Sequence, residues 1–539
     1  MKDARLRRAE LTVAMAITTI AVLLNLLAAF SAGPLWRDEA NTVGLATLPP
    51  FKDVWSNLQY DSFPVLWIAL IRGFSSAVGD MNDPAFRALG FVLALVLIGA
   101  IWANARAFRV SYPLLSLALL ALNPSVVRWG SSLRAYGLGM ATAVLTCLTI
   151  WRYVEKPRPA NFVLATLAAT ASVHTLFYNA PVVLALCIAG VVVLALRRQW
   201  RSAAGVLATG GISALSLLVY VPTIRSAASW NPLVQIPNYD FPWFIYKLNQ
   251  AFHVGTWATI LWVFVVLFAV SAALIELRRK PSRLPDDARM PVLYGTVALV
   301  VGSLAQYAFL TKLSYLTQPW YYLTLIGLTV TCADIILGKL AVPPVARVAR
   351  IAAAVIIAGV TLPSAIALAR TRMTNVDKAA LAIEHLAGPK DQVVLDPWYL
   401  GVSFDRYYRG TAPWVMLPSV GFSRFHRYDR IMPFMLEADQ MAAVHTALEK
   451  ARTCLRNGGT LYLVSENRFG TATAVPLRRA AMLPEEGWKS PAYQKQWSAL
   501  LRHELAQHAR SIATLELGEQ SRVGRYENLK VTTIKGWRE

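Results

Sequence analysis

The sequence predicts a polytopic α-helical membrane protein that ends in an extracytoplasmic α/β domain. Apolar runs of about 20 residues, the length of a membrane-spanning helix, recur up to position 369. Only 16% of the residues are charged, against about 25% in soluble domains, and the mean hydropathy is +0.43. Residues 370–539 lack such runs and alternate short apolar and amphipathic stretches. We therefore expect a membrane domain over 1–369 and a separate domain over 370–539.

Eleven apolar runs are long enough to be membrane spans. A helix needs about 20 residues to cross about 30 Å of hydrocarbon. The stretch 64–79 is shorter and contains Arg72, so we predict an interfacial helix there. The predicted spans are 11–32, 85–105, 112–128, 133–151, 160–178, 180–196, 202–222, 256–277, 291–310, 320–338 and 351–369.

The net charge of +22 is distributed unevenly between the predicted loops. Loops on the side of the N-terminus carry 20 Lys and Arg residues, and the opposite loops carry 9. This bias is what the positive-inside rule expects, so it predicts a cytoplasmic N-terminus and an extracytoplasmic C-terminal domain in a multi-pass cell (inner) membrane protein. A nucleic-acid partner is not needed to explain the charge.

Neither a cleaved signal peptide nor a disulfide framework is expected. The first apolar run follows a basic segment, but it exceeds the roughly 7–15 residues usual for a signal peptide. Cys147, Cys187 and Cys332 lie in predicted spans, and only Cys454 lies in the C-terminal domain. No cysteine-ligated zinc site is therefore implied.

The C-terminal domain reads as alternating helices and strands, the pattern of a small α/β domain. It contains no glycine-rich phosphate loop, so we expect no nucleotide cofactor. The predicted helices are 375–386, 398–408, 439–456 and 493–507, and the predicted strands are 392–395, 414–417, 460–464, 511–515 and 522–526.

Two adjacent carboxylates lie in the first outer loop, residues 33–84, immediately after the first span. Asp38 and Glu39 there have the chemistry of a general base and of a metal ligand or orienting partner. The alternative is a solvated pair or a helix cap. The dipeptide alone does not decide between these interpretations.

A series of motifs around this pair adds context. RDEANTVG occupies 37–44, DSFPVLWIALIRGF 61–74, DPAFRALGFVLAL 83–95, SSLRAYGLGMATAVL 131–145, SVHTLFYNAPVVL 172–184 and TQPWYYLTLIGL 317–328. In this order they resemble the GT-C superfamily of membrane glycosyltransferases, especially the branch of protein O-mannosyltransferases and lipid A aminoarabinose transferases. The resemblance covers the membrane domain well and the C-terminal domain only in general form.

The resemblance implies roles for matching residues. Asp38 matches the family's catalytic base, and Glu39 matches a neighbour that helps to hold a divalent cation or the site's geometry. Arg134 and Tyr136 match a pair near the polyprenyl phosphate. The sequence departs from the family at Ser62, where relatives carry a histidine or glutamate. Asp61 is the only nearby acid and is a candidate for substrate or metal binding.

Other outer-side residues are weaker candidates. Arginine grips phosphate with two hydrogen bonds, but basic residues at helix ends also anchor a protein to headgroups. His174 is a candidate for metal or phosphate binding or proton relay, and otherwise a packing residue; the aromatic pair in 317–328 suits sugar stacking or an interfacial belt. The outer basic residues are Arg87, Arg128, Arg134, Arg225 and Lys312, and the aromatic pair is Trp320 and Tyr321.

The resemblance implies an inverting transfer of a sugar from a polyprenyl-phosphate donor to a protein, lipid or envelope-glycan acceptor on the outer face. The alternatives are a secondary transporter or flippase of envelope lipids and a non-catalytic scaffold. A transporter should carry ionisable residues near mid-membrane. The ionisable residues His174, Glu276 and Asp334 instead lie toward the ends of the predicted spans.

Overall fold

The fold was analysed in a computed structural model, which describes residues 2–61, 63–236, 239–253, 255–279, 284–341, 343–421, 424–437, 439, 441–470, 490–518 and 521–539. Ser62 of the second motif lies outside these ranges. The helices of the membrane domain are α1 Lys2–Ser31, α2 Arg37–Ala46, α3 Phe51–Ser56, α4 Val65–Val78, α5 Asp83–Ala107, α6 Leu114–Ser116, α7 Pro124–Gly130, α8 Tyr136–Glu155, α9 Pro159–Thr175, α10 Ala180–Leu196, α11 Trp200–Ser216, α12 Val221–Ala227, α13 Phe241–Phe252, α14 Thr256–Arg278, α15 Asp286–Leu313, α16 Leu323–Leu340 and α17 Pro344–Ala369.

Nine helical stretches of the described chain are long and apolar enough to cross a membrane. They are Ala4–Ser31, Asp83–Ala107, Tyr136–Glu155, Phe177–Leu196, Trp200–Ala227, Thr256–Arg278, Asp287–Leu313, Pro319–Leu340 and Pro344–Ala369. The multi-pass α-helical architecture is thereby confirmed. Of the other two predicted spans, one forms α9, whose 17 residues stand at the lower end of spanning length.

The remaining predicted span, 112–128, is not one continuous helix. Short helical turns over 114–121 end before Asn123, and α7 begins at Pro124. Proline cannot continue the preceding hydrogen-bond ladder, and the Asn123 side chain instead accepts hydrogen bonds from the amides of Ser125 and Val126 at 2.8 and 3.2 Å. Residues 113–128 are buried, and they form short helical segments in place of one continuous span.

The short apolar stretch 64–79 forms α4, a helix of 14 residues that ends at Gly79 with a φ of 86°. α4 packs on α2 and α9. Arg72 donates hydrogen bonds to the carbonyls of Ala46, Leu48 and Pro49 at 2.6 to 2.8 Å. The arginine that interrupts the apolar run therefore closes the C-terminal end of α2.

The C-terminal domain is a five-stranded mixed sheet with helices. The strand order is β2-β1-β3-β5-β4, with β1 parallel to β2 and β3, and β5 antiparallel to β3 and β4. The strands are β1 Gln392–Asp396, β2 Trp414–Met416, β3 Thr460–Ser465, β4 Ala509–Leu515 and β5 Lys530–Trp537; the helices are α18 Val376–Leu386, α19 Gly401–Tyr407, α20 Met432–Leu436, α21 Ala442–Arg456 and α22 Ser490–His508.

The predicted strand 522–526 is wrong. That segment leaves the sheet and makes one parallel bridge, between Val523 and Arg372, with the chain that emerges from α17. The last strand instead begins at Lys530, where the β-branched run from Val531 to Ile534 suits a pleated surface. Segment 522–526 therefore joins the two domains.

The two domains meet on one face of the membrane domain. α1 packs along α17, and the amide of Met373 donates to the carbonyl of Ala32 at 2.7 Å where both helices end. At their other ends, Arg347 pairs with Glu10 at 2.6 Å. The first loop and the C-terminal domain therefore share a face, as an odd number of crossings requires. The assignment of this face to the cell exterior stays a prediction.

Candidate active site

The candidate site is built around the first turn of α2. Asp38 and Glu39 occupy that turn, where carboxylates interact favourably with the positive end of the helix dipole. A third carboxylate, of Glu527 in the C-terminal domain, accepts a hydrogen bond from the amide of Arg37 at 2.8 Å. The start of α2 is thus held by both domains.

Glu39 points away from solvent and joins three segments of the membrane domain. Its side chain is fully buried and pairs with Arg87 at 2.7 Å. It also accepts hydrogen bonds from the amide of Leu133 at 2.7 Å and from the amide of Trp36 at 3.2 Å. Through the Trp36 amide, Glu39 caps the N-terminus of α2, which is the helix-cap interpretation, and through Arg87 and Leu133 it fixes the first loop. Its orienting role toward catalysis stays a prediction.

Arg87 is occupied by this internal network. Besides Glu39, its guanidinium donates to the carbonyls of Gly33 and Pro34 at 3.0 and 2.6 Å. These carbonyls belong to the link between α1 and α2. Its contacts therefore fix the first loop, and its predicted role toward the donor phosphate stays a prediction.

Arg134 lies beside Asp38 in a second buried ion pair. Its Nη1 is 3.1 Å from the Asp61 carboxylate, and it donates to Thr42 Oγ1 at 2.7 Å and to the carbonyl of Asp38 at 2.9 Å. The guanidinium also stacks over the ring of Phe63, 4.2 Å from its centroid. Burial lowers the pKa of Arg134, but the charges of Asp61 and Asp38 outweigh this and raise it above its ordinary value. The arginine is permanently charged.

The described residues do not fit a divalent cation at Glu39 or Asp61. The oxygens of Glu39 and Asp61 face arginine guanidinium groups, which would repel a metal ion. Within the described part of the chain, no group of three His, Cys, Asp or Glu side chains is suitably placed to hold a metal.

Asp38 lines a cavity of about 200 Å³ between the two domains, which we name the Asp38 chamber. Its side chain is 26% exposed, whereas that of Glu39 is not exposed at all. The chamber walls are largely aromatic: Trp36, Trp320, Tyr321, Trp398, Tyr399, Tyr428 and Tyr526. Only one of the two adjacent carboxylates is thus available to a substrate.

The C-terminal domain supplies chamber residues that the sequence did not reveal. His426 is buried; its amide donates to Asn41 Oδ1 at 2.6 Å, and its Nε2 lies 3.2 Å from the carbonyl of Tyr399. Burial lowers the pKa of His426 to about 4, although the charge of Asp38 opposes this. The ring is therefore neutral at neutral pH. Tyr428 is stacked on Trp230, with 5.0 Å between ring centroids.

Arg37 connects the chamber to the C-terminal sheet. Its guanidinium pairs with Glu466 at 2.7 Å and lies over the ring of Tyr399, 4.1 Å from the centroid. It is also 3.6 Å from the Asp38 carboxylate. A cation therefore stands next to the exposed carboxylate. In the sequence, a role for Arg37 in the site is indicated only by its position in the motif RDEANTVG.

Of the predicted site residues, Trp320 and Tyr321 line the Asp38 chamber with Asp38, whereas the following four do not. Tyr136 is buried against Phe63, Trp320 and Tyr321, below the chamber, with ring centroids 5.4 to 6.4 Å apart. His174 instead binds Tyr220 and Ser216, at 2.7 and 2.9 Å. Arg225 and Lys312 are exposed and do not line the chamber.

The fold is that of GT-C glycosyltransferases. The chain superposes on ArnT from Cupriavidus metallidurans bound to undecaprenyl phosphate with a TM-score of 0.52 and 12% identity, covering 96% of this chain and 97% of that chain. It superposes on the Archaeoglobus fulgidus oligosaccharyltransferase tethered with an acceptor peptide, with a TM-score of 0.50 and 12% identity, covering 93% and 73%. Neither a family model nor a curated protein sequence matches the chain. The resemblance to GT-C proteins is confirmed as a likeness of fold.

Proposed function

We propose that this protein is a membrane glycosyltransferase that takes a sugar from a polyprenyl-phosphate donor. The acceptor is a protein, a lipid or an envelope glycan, and the reaction occurs on the face that carries the C-terminal domain. The likeness to the ArnT structure with undecaprenyl phosphate supports a polyprenyl-linked donor. The likeness to an oligosaccharyltransferase with a tethered peptide supports the wider acceptor class.

The observation that carries this proposal is the different exposure of the two adjacent carboxylates. Glu39 is sealed inside the protein by Arg87, while Asp38 opens into the Asp38 chamber. A general base must reach the proton that it removes, and its partner must fix its position. The arrangement provides both functions on consecutive residues.

The Asp38 chamber suits a sugar rather than a whole lipid. With a volume of about 200 Å³, it cannot hold a polyprenyl chain, so the chain must lie outside, along the membrane domain. Tyrosine and tryptophan rings offer apolar faces together with polar edges, which suits a sugar ring.

The proposed reaction is a single displacement with inversion. The acceptor hydroxyl or amine attacks the anomeric carbon, its proton moves to the Asp38 carboxylate, and the bond to the donor phosphate breaks. The electron pair of that bond leaves with the polyprenyl phosphate. Arg37 lines the chamber 3.6 Å from the Asp38 carboxylate, and we assign to it the stabilisation of the departing phosphate. Arg134, which contacts the main chain of Asp38, adds a second positive charge nearby.

Asp38→Asn tests the assignment of the base. Asparagine has nearly the same shape but cannot take the proton, and loss of a general base typically lowers rates by about 10²–10⁴. Purified wild-type and variant proteins are compared for turnover of polyprenyl-phosphate sugars, and for donor binding, which should be retained. Turnover like that of the wild type would remove Asp38 from this role.

The acceptor is identified by mass spectrometry of envelope lipids, glycans and proteins from cells with and without the gene. Transferase activity is supported if a sugar disappears from one acceptor class in the deletion strain. Wild-type protein should then restore this sugar, and the Asp38→Asn variant should not. A transporter or flippase would show the opposite behaviour, since Asp38→Asn would restore the modification.

A further inference from the structure

A second cavity, of about 490 Å³, lies outside the Asp38 chamber, and we name it the basic cavity. It is enclosed by α7, the end of α13, the C-terminal end of α17 and segment 522–528 of the C-terminal domain. Three arginines and one histidine line it: Arg128, Arg522, Arg525 and His253. No acidic side chain is among its described lining residues.

Arg128 forms the inner wall of the basic cavity. It is only 8% exposed and donates hydrogen bonds to the carbonyls of Thr371 and Arg372 at 2.8 and 3.1 Å. Within the described ranges, no carboxylate lies within 4.0 Å of its guanidinium. Burial lowers the pKa of Arg128 to about 10, so it still carries its charge at neutral pH. A buried charge that is not paired with a carboxylate is costly, and such a charge is often retained to bind a ligand.

Arg522 and Arg525 approach the basic cavity from the C-terminal domain, on a segment that is tied to the membrane domain. The amide of Arg372 donates to the carbonyl of Arg522, and the amide of Gly524 donates to the carbonyl of Arg372, both at 2.9 Å. A Cβ atom at Gly524 would lie 2.3 Å from Nη2 of Arg128. Glycine therefore allows this segment to pass directly over the buried guanidinium.

His253 lines the same cavity as the three arginines. Burial lowers the pKa of its imidazole, and the nearby charges of Arg525, Arg128 and Arg522 lower it further. A neutral histidine there adds a hydrogen-bonding group without adding a fourth charge.

The basic cavity and the Asp38 chamber share a thin aromatic wall. Trp129 lies against Trp320 with 4.3 Å between ring centroids, and Tyr526 lies 5.0 Å from Trp320. Tyr526 lines both cavities. An anion in the basic cavity would thus stand one aromatic layer away from the chamber.

We infer that the basic cavity is a binding site for a phosphate-class anion, a phosphomonoester or phosphodiester group held by Arg128, Arg522 and Arg525. The planar fork of arginine binds phosphate oxygens with two charge-assisted hydrogen bonds. The apolar residues Ala367 and Leu368 at the end of α17 form another wall, which fits a phosphate carried by an amphiphile. The inference does not depend on sugar transfer, because it rests on a different cavity.

Binding to the full-length protein tests this inference. Detergent-purified protein is titrated with dioctanoyl phosphatidic acid and, separately, with inorganic phosphate. We expect the double variant Arg522→Gln with Arg525→Gln to weaken binding at least about tenfold, because each arginine supplies a charged hydrogen bond. Both side chains are exposed, so the variant should fold.

The matched control is Arg510→Gln with Arg538→Gln. It removes two exposed arginines from the same domain, at the end of the β4–β5 ladder distant from Lys530. The inference is supported if only the double variant of Arg522 and Arg525 loses affinity. Loss of phosphatidic acid binding indicates a lipid phosphate, and loss of inorganic phosphate binding indicates a free phosphate. It is overturned if wild-type protein binds neither probe at millimolar concentration, or if both double variants bind alike.

Two further variants separate this inference from the proposed function. Asp38→Asn should bind phosphatidic acid or phosphate like wild-type protein, whatever its turnover, because it changes the other cavity. Arg128→Gln should also weaken binding, and its folding is monitored since it loses contacts to two carbonyls. Unaltered affinity in a folded Arg128→Gln protein would contradict the assignment of the inner wall.

Discussion

Arg134 donates a hydrogen bond to the backbone carbonyl of Asp38 at 2.9 Å while pairing with Asp61 at 3.1 Å. The arginine that the sequence places near the donor phosphate thus also fixes the main chain of the proposed base. The two roles are compatible, because a guanidinium has five N–H donors. They predict different consequences for substitution.

Arg134→Gln should destabilise the protein by about 3–5 kcal/mol, because it leaves the buried Asp61 carboxylate without its cation. Adding Asp61→Asn should recover much of this loss, since the pair is then uncharged. Thermal unfolding of the detergent-purified single and double variants measures the effect. No recovery in the double variant would show that the ion pair is not what the single substitution disrupts.

Arg134→Lys should keep the charge but lose the planar guanidinium, whose Nη1 contacts Asp61, Thr42 and the Asp38 carbonyl while the group stacks over Phe63. We expect a folded protein with donor affinity between those of wild type and Arg134→Ala, and with turnover reduced about tenfold or more. Donor titration and steady-state kinetics measure the two quantities. Lysine that restores both fully would indicate a simple headgroup anchor.

Glu39→Gln should cost about 3–5 kcal/mol of stability, because Arg87 stays buried without a counter-charge. Glutamine has one acceptor oxygen, whereas Glu39 uses separate oxygens for the Leu133 and Trp36 amides, so the loss combines the ion pair with one of these hydrogen bonds. Glu449→Gln is the control, because its pairing with Arg452 is largely exposed and should contribute less than about 1 kcal/mol. Equal shifts in the two unfolding temperatures would contradict this assignment.

The topology is predicted by the charge bias, with the N-terminus inside and Glu539 outside. A reporter that is active only outside the cytoplasm should be active after Glu539, and one that is active only in the cytoplasm should be active in the loop at Arg198. The reverse pattern would place the Asp38 chamber on the cytoplasmic side and remove the proposed reaction from the cell exterior.

The sequence predicts those parts of the fold that depend on local composition. Apolar runs identify the spanning helices because each must satisfy its own backbone within the membrane. Segment 522–526 has the composition of a strand, but its partner, Arg372, lies about 150 residues earlier, and a short apolar run does not identify its partner. Pro124 likewise lies within a largely apolar run, so hydropathy alone does not indicate the helix break there.

The candidate site was predicted only in part, for a similar reason. Asp38 and Arg134 are marked by motifs, whereas the burial of Glu39 depends on Arg87, 48 positions away. His426 and Tyr399 reach the Asp38 chamber only because the C-terminal domain folds back over the first loop. No periodicity or spacing within 370–539 distinguishes these residues from core aromatics.

Glu527 gives the stability a defined pH dependence. Burial raises the pKa of its carboxyl from 4.5 to about 7, although Arg37 and the hydrogen bond from Ser403 oppose this. Between these two pH values the folded protein holds a proton that the unfolded chain has released. The contribution of Glu527 is therefore most favourable below pH 4.5 and is lost as the pH rises to about 7.

Glu527→Gln should remove this component, which amounts to on the order of 3 kcal/mol, because glutamine does not ionise. Unfolding temperatures of wild type and variant are compared between pH 5 and pH 8; the wild type should lose stability relative to the variant as the pH rises. The side-chain oxygen of glutamine can still accept the hydrogen bond from the backbone N–H of Arg37, so α2 and Asp38 should keep their positions. A constant difference between the two proteins across this range would show that Glu527 ionises normally in the fold.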